Sequence, residues 1–271
     1  MQSLQEMFDV RGRSVIVTGG ASGIGRACAE VMADNGARVC IFDIDGPGLD
    51  TLTAEMCAAG GDVWSQVVDV AARKAMASAF DAVVLRHGGL CVVFANAGID
   101  AGPGFMTPEG VRNPDGAIEN LDDHHWDKVI AVNLSSVYTK IKLSARHMKA
   151  KGGRIIVTSS IAAQINESIV GTPYMPAKAG VDHLVRQMAM ELGVYGIHVN
   201  CISPGPFITN IAGGRLKNAA DRKAFESQSL LGRIGDPEEI KGLALCLASP
   251  ASSYVTGAQI LIDGGSLLRL P

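Results

Sequence analysis

Ser14-Val15-Ile16-Val17-Thr18-Gly19-Gly20-Ala21-Ser22-Gly23-Ile24-Gly25 is the stretch on which the fold is decided. A short apolar, β-branched run reads as a buried strand and passes straight into a glycine-rich turn, after which a helical pattern opens. Residues without a Cβ let the backbone turn tightly, and the free amides of the helix that follows are placed to receive a pyrophosphate. The glycines fall as G-x-x-x-G-x-G rather than G-x-G-x-x-G, but the physics is the same. A plain strand-to-helix turn is the simpler alternative; a strand before and a helix after favour the nucleotide reading.

Working outward, similar apolar runs recur at 38–43, 63–68, 90–95, 154–158, 197–202 and 259–262. Helical patterns lie between them, near 24–35, 47–59, 72–87, 123–150, 174–193 and 237–248. Strands apolar on both faces and alternating with helices predict an α/β fold: one doubly wound Rossmann-type domain over residues 1–271, with a seven-stranded parallel sheet and helices on both faces. Two long segments break the rhythm, 99–122 and 205–236, the second with a polar helical patch at its centre. Both leave strand C-termini, where ligands of such sheets bind, so both are expected to wall a substrate pocket.

Of the 271 residues, 47% are hydrophobic and 19% charged, and the formal net charge is -3. No basic field points to nucleic acid or an anionic membrane. Residues 1–13 do not read as a secretory signal, and no apolar run approaches a membrane span. The six cysteines, Cys28, Cys40, Cys57, Cys91, Cys201 and Cys246, are not clustered for a metal or a disulfide framework. They are read as buried free thiols in a cytoplasmic protein, and no metal site is expected.

Asp43 ends the second strand, 18 residues past Gly25. A carboxylate there accepts both hydroxyls of an adenosine ribose and repels a 2′-phosphate, and Ile44 and Ser22 offer no cation, which favours NAD over NADP. Further on, Tyr174 and Lys178 stand four residues apart, about one helical turn, with Ser159 and Ser160 upstream. A cation near a phenol draws its pKa down and makes it a proton carrier, while a serine hydroxyl holds an alcohol or ketone oxygen. Tyr-x-x-x-Lys also arises by chance on amphipathic helices with a snorkelling lysine, so its weight comes from the rest of the chain.

With these residues together, the chain resembles the short-chain dehydrogenase/reductase family along essentially its whole length. Gly19, Ser22, Gly23 and Ile24 match that family's cofactor turn, Asp69-Val70 its adenine contact, and Asn96-Ala97-Gly98 the motif ending strand four. Asn133, Ser160, Tyr174 and Lys178 match its catalytic tetrad in order, although Ser160 lies 14 residues before Tyr174, one more than the commonest spacing. Pro204, Gly205, Phe207 and Thr209 resemble the segment that holds the nicotinamide carboxamide, and Asp263-Gly264-Gly265 the closing motif.

The resemblance implies an NAD-dependent oxidoreductase interconverting a secondary alcohol and a ketone, assembled as a homo-oligomer, a dimer or tetramer. Tyr174 would act as general acid/base, with Lys178 lowering its pKa and binding ribose hydroxyls. Ser160 would donate to the developing alkoxide, and Asn133 would hold a water linking Lys178 to solvent. Rival readings are an epimerase or dehydratase with retained NAD, and a non-catalytic nucleotide sensor. Adjacent His124 and His125 point apart on a helix and are not read as a metal pair. Arg215, Lys217, Arg222 and Lys223 read as a solvated helix face rather than an anion grip, while Gln164 and Asn166 are weak candidates for the pocket wall.

Overall fold

Every strand but the two at the edges of the sheet is built largely from β-branched and aliphatic residues that are buried to both sides, and this decides the layering. The computed structural model describes residues 3–268, with the side chains at 212, 213, 215, 219–221 and 224 outside the description. After a one-turn helix α1 (Leu4–Met7), the chain runs β1 (Ser14–Thr18), α2 (Gly23–Asp34), β2 (Arg38–Asp43), α3 (Gly46–Ala58), β3 (Asp62–Val67), α4 (Arg73–His87) and β4 (Val92–Ala95). It continues through α5 (Asp123–Ile130), α6 (Ser136–Met148), β5 (Gly153–Thr158), α7 (Tyr174–Leu192), β6 (Ile197–Pro204), α8 (Ala219–Glu226), α9 (Lys241–Ala248) and β7 (Gln259–Ile262).

The strands form one seven-stranded, all-parallel sheet in the order β3-β2-β1-β4-β5-β6-β7. Successive side chains point to opposite faces, so Ile16 joins one apolar layer with Phe42, Phe80 and Val93, while Val15 and Val17 join the other with Met32, Ile41 and Phe94. Full burial of each such side chain contributes about 1.5–3 kcal/mol, and the two layers fix the register of β1 on its neighbours. Strand order reverses between β1 and β4, which pair Val15 with Val92 and Thr18 with Ala95. The crevice beyond their carboxyl ends is where such a sheet takes a ligand.

The helix expected over 123–150 is not continuous. Residues Ala131–Ser135 form a π-helical turn between α5 and α6, a local widening that such helices carry most often at functional sites. The expected helix 237–248 opens as a 3₁₀ turn, Pro237–Ile240, because Pro237 and an Asp236–Glu239 capping box tighten its start. Segment 99–122 holds two isolated bridges, Pro103 with Val170 and Met106 with Arg112, and two 3₁₀ turns. Among the described residues, no helix is long and apolar enough to cross a membrane.

Candidate active site

The carboxyl ends of β1, β4 and β5 are tied together by side chains whose types the sequence requires. Thr18 Oγ1 donates to Phe94 O at 3.3 Å and accepts the Asn96 and Ala97 amides at 3.1 and 3.2 Å. Asn96 Nδ2 donates to Gly19 O at 3.1 Å, and its Oδ1 accepts from Thr158 Oγ1 at 2.9 Å. Gly19 has φ 66°, and a Cβ there would stand 2.7 Å from Ala97 Cα, so both conformation and space demand glycine. The result is a rigid rim around a cleft of about 730 Å³.

One end of this cleft is built for a dinucleotide. Ser22 is the N-cap of α2 but makes no side-chain cap bond, which leaves the first amides of a twelve-residue helix open to a phosphate. Asp43 is held rigidly, with Oδ2 accepting from Ala21 N at 3.0 Å and Oδ1 from Ile44 N at 2.7 Å. Asp69 accepts from Ala71 N at 2.9 Å beside Val70. After β6, Thr209 overlies Gly23, while Phe207 is largely buried against Gly235. Every residue expected to bind the cofactor lines this cleft. The free amides and the two carboxylates fit a nicotinamide dinucleotide.

At the other end, Tyr174 opens α7 and Ser160 caps a short 3₁₀ turn, its Oγ accepting from Ala162 N at 3.1 Å. The Ser160 hydroxyl lies near enough to the Tyr174 phenol to lower its pKa, and both side chains line the cleft. Neighbouring Ser159 turns the opposite way: it is buried and donates to Asp182 Oδ1, which leaves Ser160 as the serine beside the phenol. Lys178 Nζ donates to Thr158 O at 2.8 Å and lies 5.5 Å from the centroid of the Tyr174 ring.

Asn133 is the one expected catalytic residue that does not line the cleft. It sits at the π turn, 1% exposed, and clamps Ile99, with Oδ1 accepting Ile99 N at 2.8 Å and Nδ2 donating to Ile99 O at 2.9 Å. Its side-chain amide thus holds the segment after β4.

The electrostatics differ from the sequence expectation. The Tyr174 phenol is pushed up to about 12, because burial outweighs the Ser160 hydrogen bond and the Asp100 carboxylate adds to the rise. Lys178 lies over the ring rather than against the oxygen, and burial pulls its own pKa down to about 8 even though Asp182 and Cys201 hold it up. Beneath it, Asp182 is nearly buried and also accepts from Cys201 Sγ at 3.5 Å. Lys140 on α6 is fully buried, its Nζ has no hydrogen-bond partner, and burial together with Lys178 brings it down to about 7.

Four contributors escaped the sequence reading. Thr158 acts partly through its backbone carbonyl, which leaves no side-chain signal. Asp182 lies one helical turn past Lys178, a spacing that marks it once a buried partner is sought. Asp100 directly follows Asn96-Ala97-Gly98-Ile99, and Lys140 lies within an expected helix.

The long segments contribute unequally. From 205–236 the cleft takes seven lining residues, including Thr209, Ile211 and Leu216, but from 99–122 it takes only Ile99 and Asp100. Residues 101–106 lie against residues 168–171. Gln164 and Asn166 are exposed and line nothing in the cleft. Arg222 bonds the carbonyls of Leu216 and Lys217 at 2.8 and 2.9 Å, whereas Lys217 and Lys223 are exposed and the side chain of Arg215 lies outside the described residues. Among the described residues no cluster of His, Cys, Asp and Glu is placed to hold a metal.

A family model described as Enoyl-(Acyl carrier protein) reductase matches residues 19–266. The chain is 34% identical over 264 residues to L-rhamnose 1-dehydrogenase (NAD(P)(+)) of Azotobacter vinelandii, covering 95% of this chain and 98% of that one. It is also 34% identical to (+)-borneol dehydrogenase 1 of Salvia officinalis, with 94% of each chain covered. The solved structure of NADPH-dependent 3-quinuclidinone reductase from Rhodotorula rubra is 36% identical, matches 99% of this chain and 96% of its own, and superposes with a TM-score of 0.86. With the parallel sheet, the glycine turn and the tyrosine–lysine helix in place, these likenesses show that the chain belongs to the short-chain dehydrogenase/reductase family of oxidoreductases.

Proposed function

We propose that this protein is an NAD-dependent oxidoreductase that interconverts a secondary alcohol and a ketone, with Tyr174 as its general acid/base. The observation that carries the reading is that Ser160, Tyr174 and Lys178 line the same cleft as the uncapped N-terminus of α2. A bound nicotinamide supplies hydride acceptance or donation. The chain's own part is to hold the reacting oxygen and to move its proton. Ser160 donates a hydrogen bond to that oxygen as charge develops on it. Tyr174 takes the alcohol proton during oxidation or returns it during reduction. Gly19, Ser22, Gly23 and Ile24 would hold the pyrophosphate, and Asp69 and Val70 the adenine. Asn96, Ala97, Gly98, Lys178, Pro204, Gly205, Phe207 and Thr209 would line the nicotinamide half.

Preference for NAD rests on Asp43. Its fixed carboxylate suits ribose hydroxyls and opposes a 2′-phosphate, and Ile44 and Ser22 supply no compensating cation. Relatives using NADP make this a choice specific to this chain. Six free thiols suit a reducing cytoplasm. Exposed Met190 and Val194 on and just beyond α7, with the edge strand β7 nearby, suit a homo-oligomer.

The central test is Tyr174→Phe. It is expected to bind reduced nicotinamide dinucleotide as the wild type does, followed by fluorescence, while turnover over a panel of secondary alcohols and ketones falls by about 10²–10⁴. Wild-type turnover in that variant removes the assignment. Asp43→Ser is expected to lower the ratio of kcat/KM for NAD over NADP, and an unchanged ratio means that Asp43 is not the ribose ligand.

A further inference from the structure

Asp100 is a charged group inside the cleft that the proton chemistry does not use. It follows Asn96-Ala97-Gly98-Ile99 after β4, is half-buried, and lines the cleft with Ser160 and Tyr174, whereas the carboxylates of Asp43 and Asp69 follow β2 and β3. Its Oδ1 accepts from Ala101 N at 2.8 Å. Among the described residues it has no ion pair and no further hydrogen bond, and the only other charged cleft groups are Asp43, Asp69, Lys128 and Lys178. Ala101 is buried, and residues 102–104 are held against 168–171, so the carboxylate is fixed rather than free to swing into solvent. It stands close enough to the phenol for its charge to act on Tyr174.

A partly buried carboxylate oxygen without a donor is costly once a substrate displaces its water. An apolar alcohol would seal it off unpaired, and an anionic one would meet like charge beside the reacting carbon. A neutral substrate with a hydroxyl next to the reacting carbinol would satisfy it. We infer that Asp100 selects polyhydroxylated substrates, cyclic vicinal diols or aldoses, by accepting a hydrogen bond from the hydroxyl beside the one that reacts. This rests on the alcohol–ketone reading given above. It also separates the relatives' substrates: a sugar such as rhamnose meets the requirement, and a terpene alcohol such as borneol does not.

The test is a set of initial rates with NAD for vicinal cyclic diols and aldoses, each against its counterpart lacking the neighbouring hydroxyl. Wild-type protein is expected to favour the hydroxylated member by about tenfold or more in kcat/KM. Asp100→Ala is expected to collapse that ratio towards one, lowering rates for the diols and raising them for the counterparts. Asp100→Asn, which keeps an acceptor oxygen, should retain part of the preference. Fluorescence titration with reduced dinucleotide checks that each variant is folded. A wild-type ratio near one, or a ratio that Asp100→Ala leaves in place, overturns the inference and spares the oxidoreductase reading. No turnover of any member by a wild-type protein that binds the dinucleotide overturns both.

Discussion

Lys178 is a cation in a dry place, and its charge is kept by two neighbours, Asp182 above all. Asp182, a turn further along α7, holds the ammonium up against the pull of burial with help from Cys201, while the Tyr174 ring lies beside it and Lys140 acts on it from α6. Asp182→Asn removes that support, so Lys178 sheds its proton at a pH below its present value of about 8. The alkaline fall in ketone reduction should therefore move to lower pH. Ser159→Ala removes a hydrogen bond to Asp182 but no charge, and should leave the profile in place; equal shifts in both variants would assign the effect to packing. The high phenol pKa carries its own expectation. Alcohol oxidation needs Tyr174 to accept a proton, so its rate should climb with pH, and a flat profile counts against the residue as base.

Lys140 offers a stability test of the same electrostatics. Its amine titrates near 7 in the folded chain against an ordinary value of 10.5, so between those values the unfolded chain binds a proton that the folded chain does not. Stability contributed by this site thus rises with pH across that window and is lowest below 7. Lys140→Met should stabilise the protein by on the order of 1–3 kcal/mol at pH 7, with the advantage shrinking towards pH 10. Denaturant midpoints at the two pH values would measure it, and a gain independent of pH would contradict the burial of a titrating amine.

At the scale of elements, the strand–turn–helix that opens the chain was fully legible, because each of its constraints is local. A buried β-branched run, residues free of Cβ and a helix start are all written in consecutive positions. Gly25→Ala shows how tight the turn is: its Cβ would run into Gly19 O and sit 2.5 Å from Asn96 Nδ2. That substitution should weaken dinucleotide binding and lower the melting temperature together, and retention of both would contradict the packing. The π turn was not legible. Ala131-Val132-Asn133-Leu134-Ser135 has ordinary helical propensity, and what widens it is the tertiary clamp between Asn133 and Ile99, 34 positions apart. In sequence, the family motif alone favours Ser160 over Ser159; the reason in the fold, Asp182 lying beneath Ser159, is not visible in consecutive positions.

Across the whole molecule, alternation of strands and helices was enough to foretell a single parallel sheet, because burial on both faces leaves few other ways to layer such elements. Which long segment would serve the cleft was not foreseeable from length alone. Segment 99–122 gives the cleft only Ile99 and Asp100 and lays residues 101–106 along 168–171, whereas the segment following β6 gives it seven residues. Ligand linkage follows from this arrangement: dinucleotide at 100 times its dissociation constant should raise stability by about 2.7 kcal/mol, seen as a higher melting temperature. The contact of Thr209 with Gly23 has a kinetic corollary. A strap that rests on the phosphate turn at Thr209 and lines the cleft further on at Ile211 and Leu216 should settle once a dinucleotide fills that turn. Coenzyme is expected to arrive first and depart last, so a ketone product should inhibit non-competitively against NAD.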